Sequence, residues 1–503
     1  MTDLSKADIA KILQNLNIRS HAFIDGDYCP AASGDTFSTI NPATGEHLAD
    51  VAHCGNEDVD RAVRAARRAF NEGGWSRAAP EHRKEVLLKL ADLVSANAAE
   101  ISVMESIDCG KTVSDALDEI GGEAVNYFKW YAELADKTFG KIATTGEDAL
   151  GLIVREPAGV AAAVLPWNFP FLMAVWKAST ALASGCSLIL KPAEQSPLST
   201  IYLAELATEA GIPAGVINTL PGLGETTGQA LGRHDDIDVI SFTGSTEVGG
   251  YFMRYAGESN LKSVGLEMGG KSPFIVLDDA DINDDLIEHA ALSAFWNAGQ
   301  NCSANMRQIV DVKRAEEYVD RVTARAKAYK IGDPLDPETE IGAMITADQQ
   351  NMVMGYIEKG QTEGARLVAG GSALDVPGYF IQPTVFDGLT PEMTISREEI
   401  FGPVLGVLSV KSYEEALSVA VDTEYGLHAT VFTRDIDRAI HMARRLPCGT
   451  VAVNGYTEGD IKTPFGGYKR SGSMARENGT EALEQYLQTK TIWITVGDMD
   501  GTA

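Results

Sequence analysis

Cys302 stands in the stretch GQNCSA and is one of six cysteines in a chain of 503 residues. A glycine and two amide side chains precede it, and small residues follow it. On an irregular turn a cysteine can expose its sulfur to a cleft, where the thiolate is a nucleophile. Most cysteines in cytosolic proteins are instead small buried apolar side chains. The stretch by itself leaves both interpretations open, together with a disulfide partner and a metal ligand.

The spacing of the cysteines argues against the last two roles. No CxxC pair occurs, so the sequence predicts neither a zinc cluster nor a redox dithiol. The first residues, MTDLSKADIAKILQNL, mix acids and bases and do not look like a signal peptide. We therefore expect a cytoplasmic protein with reduced thiols and no metal site. The other five cysteines are Cys29, Cys54, Cys109, Cys186 and Cys448.

Two further side chains suit the chemistry of a thiolate. Glu267 ends an apolar run in LEMGGKSP, and apolar neighbours raise the pKa of a carboxylate, which makes a general base near neutrality. Asn168 lies in VLPWNFP, where two prolines stiffen a loop, and its amide suits an oxyanion formed in acyl transfer. The alternatives are a salt-bridged glutamate and an asparagine that closes a turn.

Two segments have features of a nucleotide site. Lys191 and Glu194 follow a predicted strand in LKPAEQSP, where open parallel sheets bind ligands. A carboxylate there can accept hydrogen bonds from ribose hydroxyls and would repel a 2′-phosphate, which favours NAD over NADP. In FTGSTEVGG, Gly244 and Ser245 join a strand to a helix, whose free N–H groups would suit phosphate. The alternatives are a solvated surface pair and a tightly packed turn.

The surrounding pattern predicts the elements that hold these residues. From about Ile153, short apolar runs such as VAAAV and SLILK alternate with helical segments, and a second such series begins at SPFIVLDD and runs to about Val453. This alternation predicts parallel sheets covered by helices. Near the start we expect a hairpin and two long helices. The chain ends in a predicted strand containing Ile492, Trp493 and Ile494, which is a weak signal for oligomerisation.

Composition excludes some partners. The chain is 45% hydrophobic, has a formal net charge of -29, and is long enough for two to four domains. The negative field repels nucleic acid and anionic membranes, and no apolar window predicts a transmembrane helix. The same field could attract a cationic substrate, although simple solubility or adaptation to a salty environment explains it as well.

Taken together, in this order and spacing, the motifs resemble those of the aldehyde dehydrogenase superfamily, from INPATGE to YLQTKT. The segments IVREPAGV, YTEGDIKTPFGGYKRSG and KTIWI resemble more narrowly the bacterial γ-glutamyl-γ-aminobutyraldehyde and related ω-aminoaldehyde dehydrogenases. The resemblance implies an α/β fold in three parts. These are a Rossmann-type NAD-binding domain (1–134 and 156–266), an α/β catalytic domain (267–477) and a small oligomerisation β-sheet (135–155 and 478–503), in a homotetramer or dimer.

The resemblance also implies a role for each site residue. Cys302 would be the nucleophile, Glu267 the general base and Asn168 an oxyanion donor, with Lys177 and Glu477 relaying protons. The residues implied for NAD are Trp167, Lys191, Glu194, Gly224, Gly244, Ser245, Glu399 and Phe401. Those implied for the aldehyde are Phe169, Met173, Trp176, Trp296, Tyr456, Glu458 and Phe465. Asn301 departs from the family, in which Val, Glu, Thr or Cys usually precedes the cysteine.

The implied substrate tunnel is aromatic, and aromatic faces accept apolar aldehydes and also attract cations. Glu458 and Asp460, with Asp108 as a more distant candidate, would suit an amino or quaternary ammonium tail. We therefore expect NAD-dependent oxidation of an ω-aminoaldehyde such as γ-glutamyl-γ-aminobutyraldehyde, through a cysteine thiohemiacetal and a thioester. The alternatives are a broad-specificity aliphatic or aromatic aldehyde dehydrogenase, a non-catalytic structural relative, and a thiol acyltransferase that does not use NAD.

Overall fold

The computed structural model describes residues 4–497, which form nineteen strands and fifteen helices. The strands are β1 (Ala22–Ile24), β2 (Asp27–Cys29), β3 (Thr36–Ile40), β4 (His47–Ala52), β5 (Lys141–Ala143), β6 (Ala149–Pro157), β7 (Val160–Val164), β8 (Ser187–Lys191), β9 (Ile217–Thr219), β10 (Val239–Gly244), β11 (Ser263–Met268), β12 (Pro273–Val276), β13 (Arg307–Asp311), β14 (Arg366–Ala369), β15 (Thr384–Asp387), β16 (Val404–Val410), β17 (His428–Phe432), β18 (Thr450–Val453) and β19 (Leu487–Thr495).

Helices cover the sheets, and short π-helical and 3-10 turns join some of them. The helices are α1 (Lys6–Asn15), α2 (Asn56–Glu72), α3 (Pro80–Cys109), α4 (Val113–Asp118), α5 (Val125–Leu134), α6 (Pro170–Ser184), α7 (Leu198–Ala210), α8 (Gln229–Arg233), α9 (Thr246–Glu258), α10 (Asp284–Phe295), α11 (Val312–Ala328), α12 (Ala347–Thr362), α13 (Thr394–Arg397), α14 (Tyr413–Val421) and α15 (Ile436–Ala443). The π-helical turns are Glu119–Ala124 and Gly224–Gly228, and the 3-10 turns are Trp296–Gly299, Lys469–Ser471 and Glu481–Tyr486.

The first large sheet has the strand order β11-β10-β7-β8-β9-β1-β2. Strands β7 to β11 are parallel, and the predicted hairpin β1–β2 adds to the edge in antiparallel orientation. Strands β7 and β8 are buried throughout, because helices cover both faces of this sheet. The chain returns from β9 to place β10 beside β7. This reversal creates the crevice in which open parallel sheets bind ligands.

The second large sheet has the order β14-β15-β16-β13-β12-β17-β18 and is parallel except for β14. Its helices and strands form a separate apolar core that includes Phe274, Phe295 and Phe386. The two series of alternating strands and helices predicted from the sequence are therefore confirmed, each as a sheet of its own. The predicted α/β fold is confirmed with them.

A three-stranded antiparallel sheet, β19-β6-β5, joins β19 to the two strands that come immediately before β7 in the chain. Strand β19 is at its edge, and Trp493 there is 61% exposed. Residues 481–486 turn inward, where Tyr486 is buried in the core of the first sheet. Within residues 4–497, no helix combines the length and the apolar character that a membrane crossing requires.

Candidate active site

A cavity of about 440 Å³, the inner cavity, lies at the carboxyl ends of β7, β8, β10 and β11 and is closed by segments of the second series. It brings together all but three of the predicted site residues. Those on its walls are Trp167, Asn168, Phe169, Met173, Trp176, Lys191, Glu194, Gly224, Gly244, Ser245, Glu267, Trp296, Cys302, Glu399, Phe401, Glu458 and Phe465. The other three, Lys177, Glu477 and Tyr456, do not line the inner cavity.

The turn before Cys302 has an unusual backbone. Asn297, Ala298 and Gly299 follow one another with φ values of 50°, 55° and 70°. The left-handed region costs about 1–2 kcal/mol for a residue with a side chain, so tertiary contacts must hold this turn. A Cβ on Gly299 would lie 2.4 Å from the carbonyl oxygen of Gly402, which explains the glycine. The turn leaves Cys302 partly exposed, as a nucleophile requires.

Hydrogen bonds fix this turn to the loop that carries Asn168. The Gln300 side chain donates to the Asn297 carbonyl oxygen at 3.2 Å and accepts from the Ile345 N–H at 3.0 Å. The Asn168 amide donates to the Gln300 carbonyl oxygen at 2.9 Å, and the Asn297 amide donates to the Asn168 carbonyl oxygen at 3.0 Å. Asn168 is thereby held beside the cysteine, and its amide has a second hydrogen to offer.

Glu267 lies in β11 and is 2% exposed, and neither of its carboxylate oxygens has a hydrogen-bond partner among the described side chains and backbone. Burial raises its pKa well above the ordinary value, and the nearby Lys177 ammonium opposes this shift. Lys177 is fully buried and forms an ion pair with Glu477. Burial also raises the pKa of the Cys302 thiol, and the charges of Glu267, Glu458 and Glu399 add to that effect.

One end of the inner cavity fits the adenosine and phosphates of a dinucleotide. The Lys191 ammonium lies 3.1 Å from a carboxylate oxygen of Glu194, just beyond β8. Ser245 caps α9 by accepting a hydrogen bond from the Val248 N–H at 3.3 Å, so the positive end of this helix faces the cavity. No atom lies within 4 Å of the position of a Cβ on Gly224, which leaves that wall open to a ligand.

The other end of the cofactor region holds Glu399 and Phe401. Glu399 accepts a hydrogen bond from the Gly270 N–H at 2.9 Å. A Cβ on Gly269 would lie 1.9 Å from the Glu399 carboxylate, so the glycine allows this approach. Phe401 has a φ of 55° and meets Trp167 edge to face at 5.2 Å. A carboxylate and an aromatic ring fixed in this way fit the ribose and ring of a nicotinamide.

A second cavity of about 520 Å³, the outer cavity, adjoins the inner cavity. Phe169 lies 5.2 Å from Trp296, and Trp176 lies 5.7 Å from Phe465. The two cavities share Glu123, Trp176, Trp296 and Glu458. Six carboxylates line the outer cavity, and in the described part of the chain no lysine, arginine or histidine lines it. They are those of Asp115, Asp118, Glu119, Glu123, Glu458 and Asp460.

The structure corrects one expectation about these acids and refines another. Asp108 does not reach the tunnel, because it is 1% exposed and accepts a hydrogen bond from the Leu198 N–H at the start of α7. Asp460 lines the outer cavity but lies 3.4 Å from the Lys462 ammonium, which offsets its charge. Tyr456 lines the outer cavity and not the inner one.

Several residues around the two cavities are not predicted from the sequence. Glu119 and Glu123 belong to the π-helical turn between α4 and α5, a local irregularity that no motif signals. Lys111 is buried, pairs with Glu119, and places its ammonium 4.0 Å from the centre of the Phe169 ring. Asn301 also has an explanation now, since its amide donates to Glu458 at 2.8 Å. Only its place next to Cys302 could have indicated that contact.

Comparisons with known proteins agree with this geometry. The model of the aldehyde dehydrogenase family matches residues 28–492. An aminoacetaldehyde dehydrogenase of Pseudomonas aeruginosa is 46% identical over 495 residues, which are 98% of this chain and 99% of the relative. The structure of an indole-3-acetaldehyde dehydrogenase with NAD+ has a TM-score of 0.96 and 46% identity, and covers 98% of this chain and 100% of its own.

A γ-glutamyl-γ-aminobutyraldehyde dehydrogenase structure from Burkholderia cenocepacia has the same TM-score of 0.96, with 45% identity and coverage of 98% of this chain and 100% of its own. The chain belongs to the aldehyde dehydrogenase family. It is an oxidoreductase that oxidises aldehydes with NAD as its cofactor.

Proposed function

We propose that the protein oxidises an ω-aminoaldehyde, such as γ-glutamyl-γ-aminobutyraldehyde, to the corresponding carboxylic acid. The outer cavity supports this most directly, since it is lined by carboxylates and shares Trp176 and Trp296 with the inner cavity that holds Cys302. Two of the three relatives named above are aminoaldehyde dehydrogenases. The third acts on indole-3-acetaldehyde, which supports the second candidate, a broader enzyme for aliphatic and aromatic aldehydes.

In the proposed first step, the Cys302 thiolate attacks the aldehyde carbon and forms a thiohemiacetal. The Asn168 amide and the Cys302 N–H donate to its oxyanion, which is stabilised by donors already fixed in position. NAD, when bound, supplies the acceptor for the hydride of this adduct. Loss of the hydride leaves a thioester on Cys302, which completes the oxidation step.

In the second step Glu267 removes a proton from water, which attacks the thioester carbon. The acid leaves and the Cys302 thiolate is regenerated. The buried pair of Lys177 and Glu477 lies behind Glu267 and offers a path by which its proton reaches solvent. The retained glutamate at this place favours hydrolysis over transfer of the acyl group to coenzyme A.

For the cofactor, we assign Lys191 and Glu194 to the adenine ribose. The residues assigned to the rest of NAD are Trp167, Gly224, Gly244, Ser245, Glu399 and Phe401. A carboxylate at Glu194 favours NAD over NADP, because it accepts from ribose hydroxyls and repels a 2′-phosphate. Along the aldehyde tunnel we assign Phe169, Met173, Trp176, Trp296 and Phe465 to the walls, with Tyr456 and Glu458 at its outer end.

We also propose the three-part division into an NAD-binding domain (1–134 and 156–266), a catalytic domain (267–477) and an oligomerisation sheet (135–155 and 478–503), in a cytoplasmic homo-oligomer. The free edge of β19, with Trp493 exposed, supports a dimer or tetramer. Light scattering coupled to gel filtration tests the assembly, and a monomer at micromolar concentration would contradict it.

A substrate pair of equal length tests the main proposal. We expect kcat/KM for 3-aminopropanal to exceed that for butanal by about tenfold or more at low salt, because the ammonium group gains attraction from carboxylates and aromatic faces. The ratio should fall as salt screens the charges. A clear preference for butanal, or for aromatic aldehydes over both, would support the broader enzyme instead.

A further inference from the structure

Glu458 makes an unusual set of contacts around the nucleophile. One of its carboxylate oxygens, Oε1, accepts a hydrogen bond from the Asn301 amide at 2.8 Å and another from the Ser303 hydroxyl. The Tyr456 hydroxyl donates to the same oxygen at 3.1 Å. Asn301 and Ser303 are the two neighbours of Cys302 in the chain. A single carboxylate oxygen therefore accepts hydrogen bonds from the side chains on both sides of Cys302.

The other oxygen of Glu458 is available to a ligand. Within residues 4–497, no donor forms a hydrogen bond with Oε2 and no lysine, arginine or histidine forms an ion pair with this carboxylate. Glu458 lines both cavities, together with Trp176, Trp296 and the second carboxylate, Glu123. The same side chain thus touches the cysteine loop on one side and faces the path of a substrate tail on the other.

The charges that face Cys302 come from three elements. They are Glu267 of β11, Glu399 ahead of β16, and Glu458 of the loop after β18. All three carboxylates oppose ionisation of the Cys302 thiol, whose pKa burial has already raised. Two of the three carboxylates already have another role or partner. Glu267 is the proposed base, and Glu399 accepts a hydrogen bond from the Gly270 N–H. Glu458 is the one that a substrate tail can neutralise.

The groups around Glu458 do not supply that neutralising charge. Glu123 faces it from the π-helical turn and is itself a carboxylate. His428 of β17 is buried, and burial lowers its pKa, which favours the neutral ring. Tyr127 and Tyr456 are neutral phenols, because burial raises the pKa of each well above the ordinary value. A cation at this place must therefore come from a ligand.

We propose that Glu458 couples the charge of the substrate tail to the reactivity of Cys302, so that a cationic tail both binds the protein and activates its nucleophile. An ammonium group at Oε2 offsets the negative charge facing the sulfur, and the thiol loses its proton to solvent more readily. Glu458 acts through Cys302 and is a positioning residue. This inference rests on the proposed preference for aminoaldehydes. It adds that a cationic tail increases the reactivity of Cys302, which a binding preference alone does not imply.

The test measures alkylation of Cys302 by iodoacetamide in the NAD-bound enzyme without aldehyde, at constant ionic strength from pH 6 to 10. Butylammonium serves as the tail, and 1-butanol is its neutral match in size. We expect butylammonium to accelerate alkylation at pH 7 by about 3- to 10-fold, as the loss of one facing charge at close range implies. 1-Butanol should not accelerate it. Alkylation of the Cys302→Ala variant measures the contribution of the other cysteines. Mass spectrometry identifies which cysteines carry the label.

Variants at one position separate charge from packing. Glu458→Gln keeps an acceptor for Asn301 and Ser303 but removes the charge, so it should alkylate at pH 7 as fast as the wild type with butylammonium and respond to neither additive. Glu458→Asp keeps the charge and should retain part of the butylammonium response. Glu81→Gln, in the exposed first turn of α3, controls for the change in net charge and should match the wild type.

The outcomes distinguish this inference from the proposed function. Equal alkylation rates with butylammonium and 1-butanol would overturn the coupling, whatever the substrate preference. If 3-aminopropanal were still preferred over butanal in that case, Glu458 would bind tails without activating Cys302. An unchanged alkylation profile in Glu458→Gln, with melting temperature equal to that of the wild type, would overturn the coupling as well.

Discussion

The inner and outer cavities share four residues but are built in different ways. The inner cavity uses strand ends and tight turns, and backbone contacts fix its polar side chains, as for Asn168 on Gln300 and Glu399 on Gly270. The outer cavity is lined by helices, a π-helical turn and the loop after β18, and its carboxylates face a space without a lining cation in the described chain. We propose that the inner cavity holds the groups that react with any aldehyde, and that the outer cavity holds the groups that select among substrate tails. Variants of the inner cavity should therefore affect all aldehydes alike, and variants of the outer cavity should change the preference between aldehydes.

The largest effect is expected for Cys302→Ala. Without the sulfur no thiohemiacetal or thioester forms, so NADH production should fall by at least about 10⁴-fold for 3-aminopropanal and butanal alike. Absorbance at 340 nm measures it, and retained NAD binding by calorimetry shows an intact site. Activity that survived with one of the two aldehydes would break the division between the cavities.

Glu267→Gln should come next, with turnover reduced about 10²- to 10⁴-fold and again equally for both aldehydes. Hydrolysis of the thioester is the step lost, so mixing with aldehyde and NAD should give one NADH per active site and then little more. Because burial raises the pKa of Glu267, its base form is gained as pH rises through a range above that of an ordinary glutamate, and wild-type kcat should rise with pH over that range. The variant should lose this rise, and a normal steady-state rate would contradict the assigned base.

The comparison of the cavities also explains what could be predicted from the sequence. Strands β7, β8 and β10 are apolar runs bounded by turn residues, so their ends follow from local pattern, with Lys191 and Gly244 at two of these ends and Asn168 in the loop after β7. The pattern therefore predicts the parallel sheets, whereas most residues of the inner cavity are predicted only through the resemblance to the aldehyde dehydrogenase superfamily. The conformation of the turn before Cys302 cannot be predicted from GQNCSA alone, because residues that hold this turn, such as Asn168 and Ile345, come from distant parts of the chain.

The outer cavity could not be predicted in this way. Its acids come from one helical segment and from a loop more than three hundred residues later, and only the tertiary fold brings Glu123 close to Glu458. Asp108 was misplaced for the same reason, since its role at the start of α7 depends on a helix packing that no spacing shows. The hydrogen bond from Asn301 to Glu458 likewise depends on the tertiary fold, and no spacing in the sequence shows it.

A smaller effect within the inner cavity is expected for Glu194→Gln. The neutral amide no longer repels a 2′-phosphate, so the ratio of kcat/KM with NAD to that with NADP should fall by about tenfold. Initial rates with the two cofactors at fixed 3-aminopropanal measure this ratio. The ratio of 3-aminopropanal to butanal should not change, because Glu194 lies at the far end from the tail. An unaltered cofactor ratio would remove Glu194 from the ribose site.

The smallest effect, and the one that addresses the outer cavity alone, is expected for Glu123→Gln. Glu123 is exposed and lies in no ion pair within residues 4–497, so removing its charge leaves the fold intact but weakens the field at the tail. The preference for 3-aminopropanal over butanal should fall about 2- to 5-fold at low salt, mainly through KM, because exposed charges contribute modestly and are screened.

Glu81→Gln is the matched control, since it removes the same charge from an exposed site away from both cavities. At about 0.5 M salt the difference between Glu123→Gln and wild type should shrink, because the Debye length is then shorter than the reach of the interaction. If Glu123→Gln instead lowered kcat for both aldehydes equally, the outer cavity would be part of the catalytic apparatus and its separation from the inner cavity would be wrong.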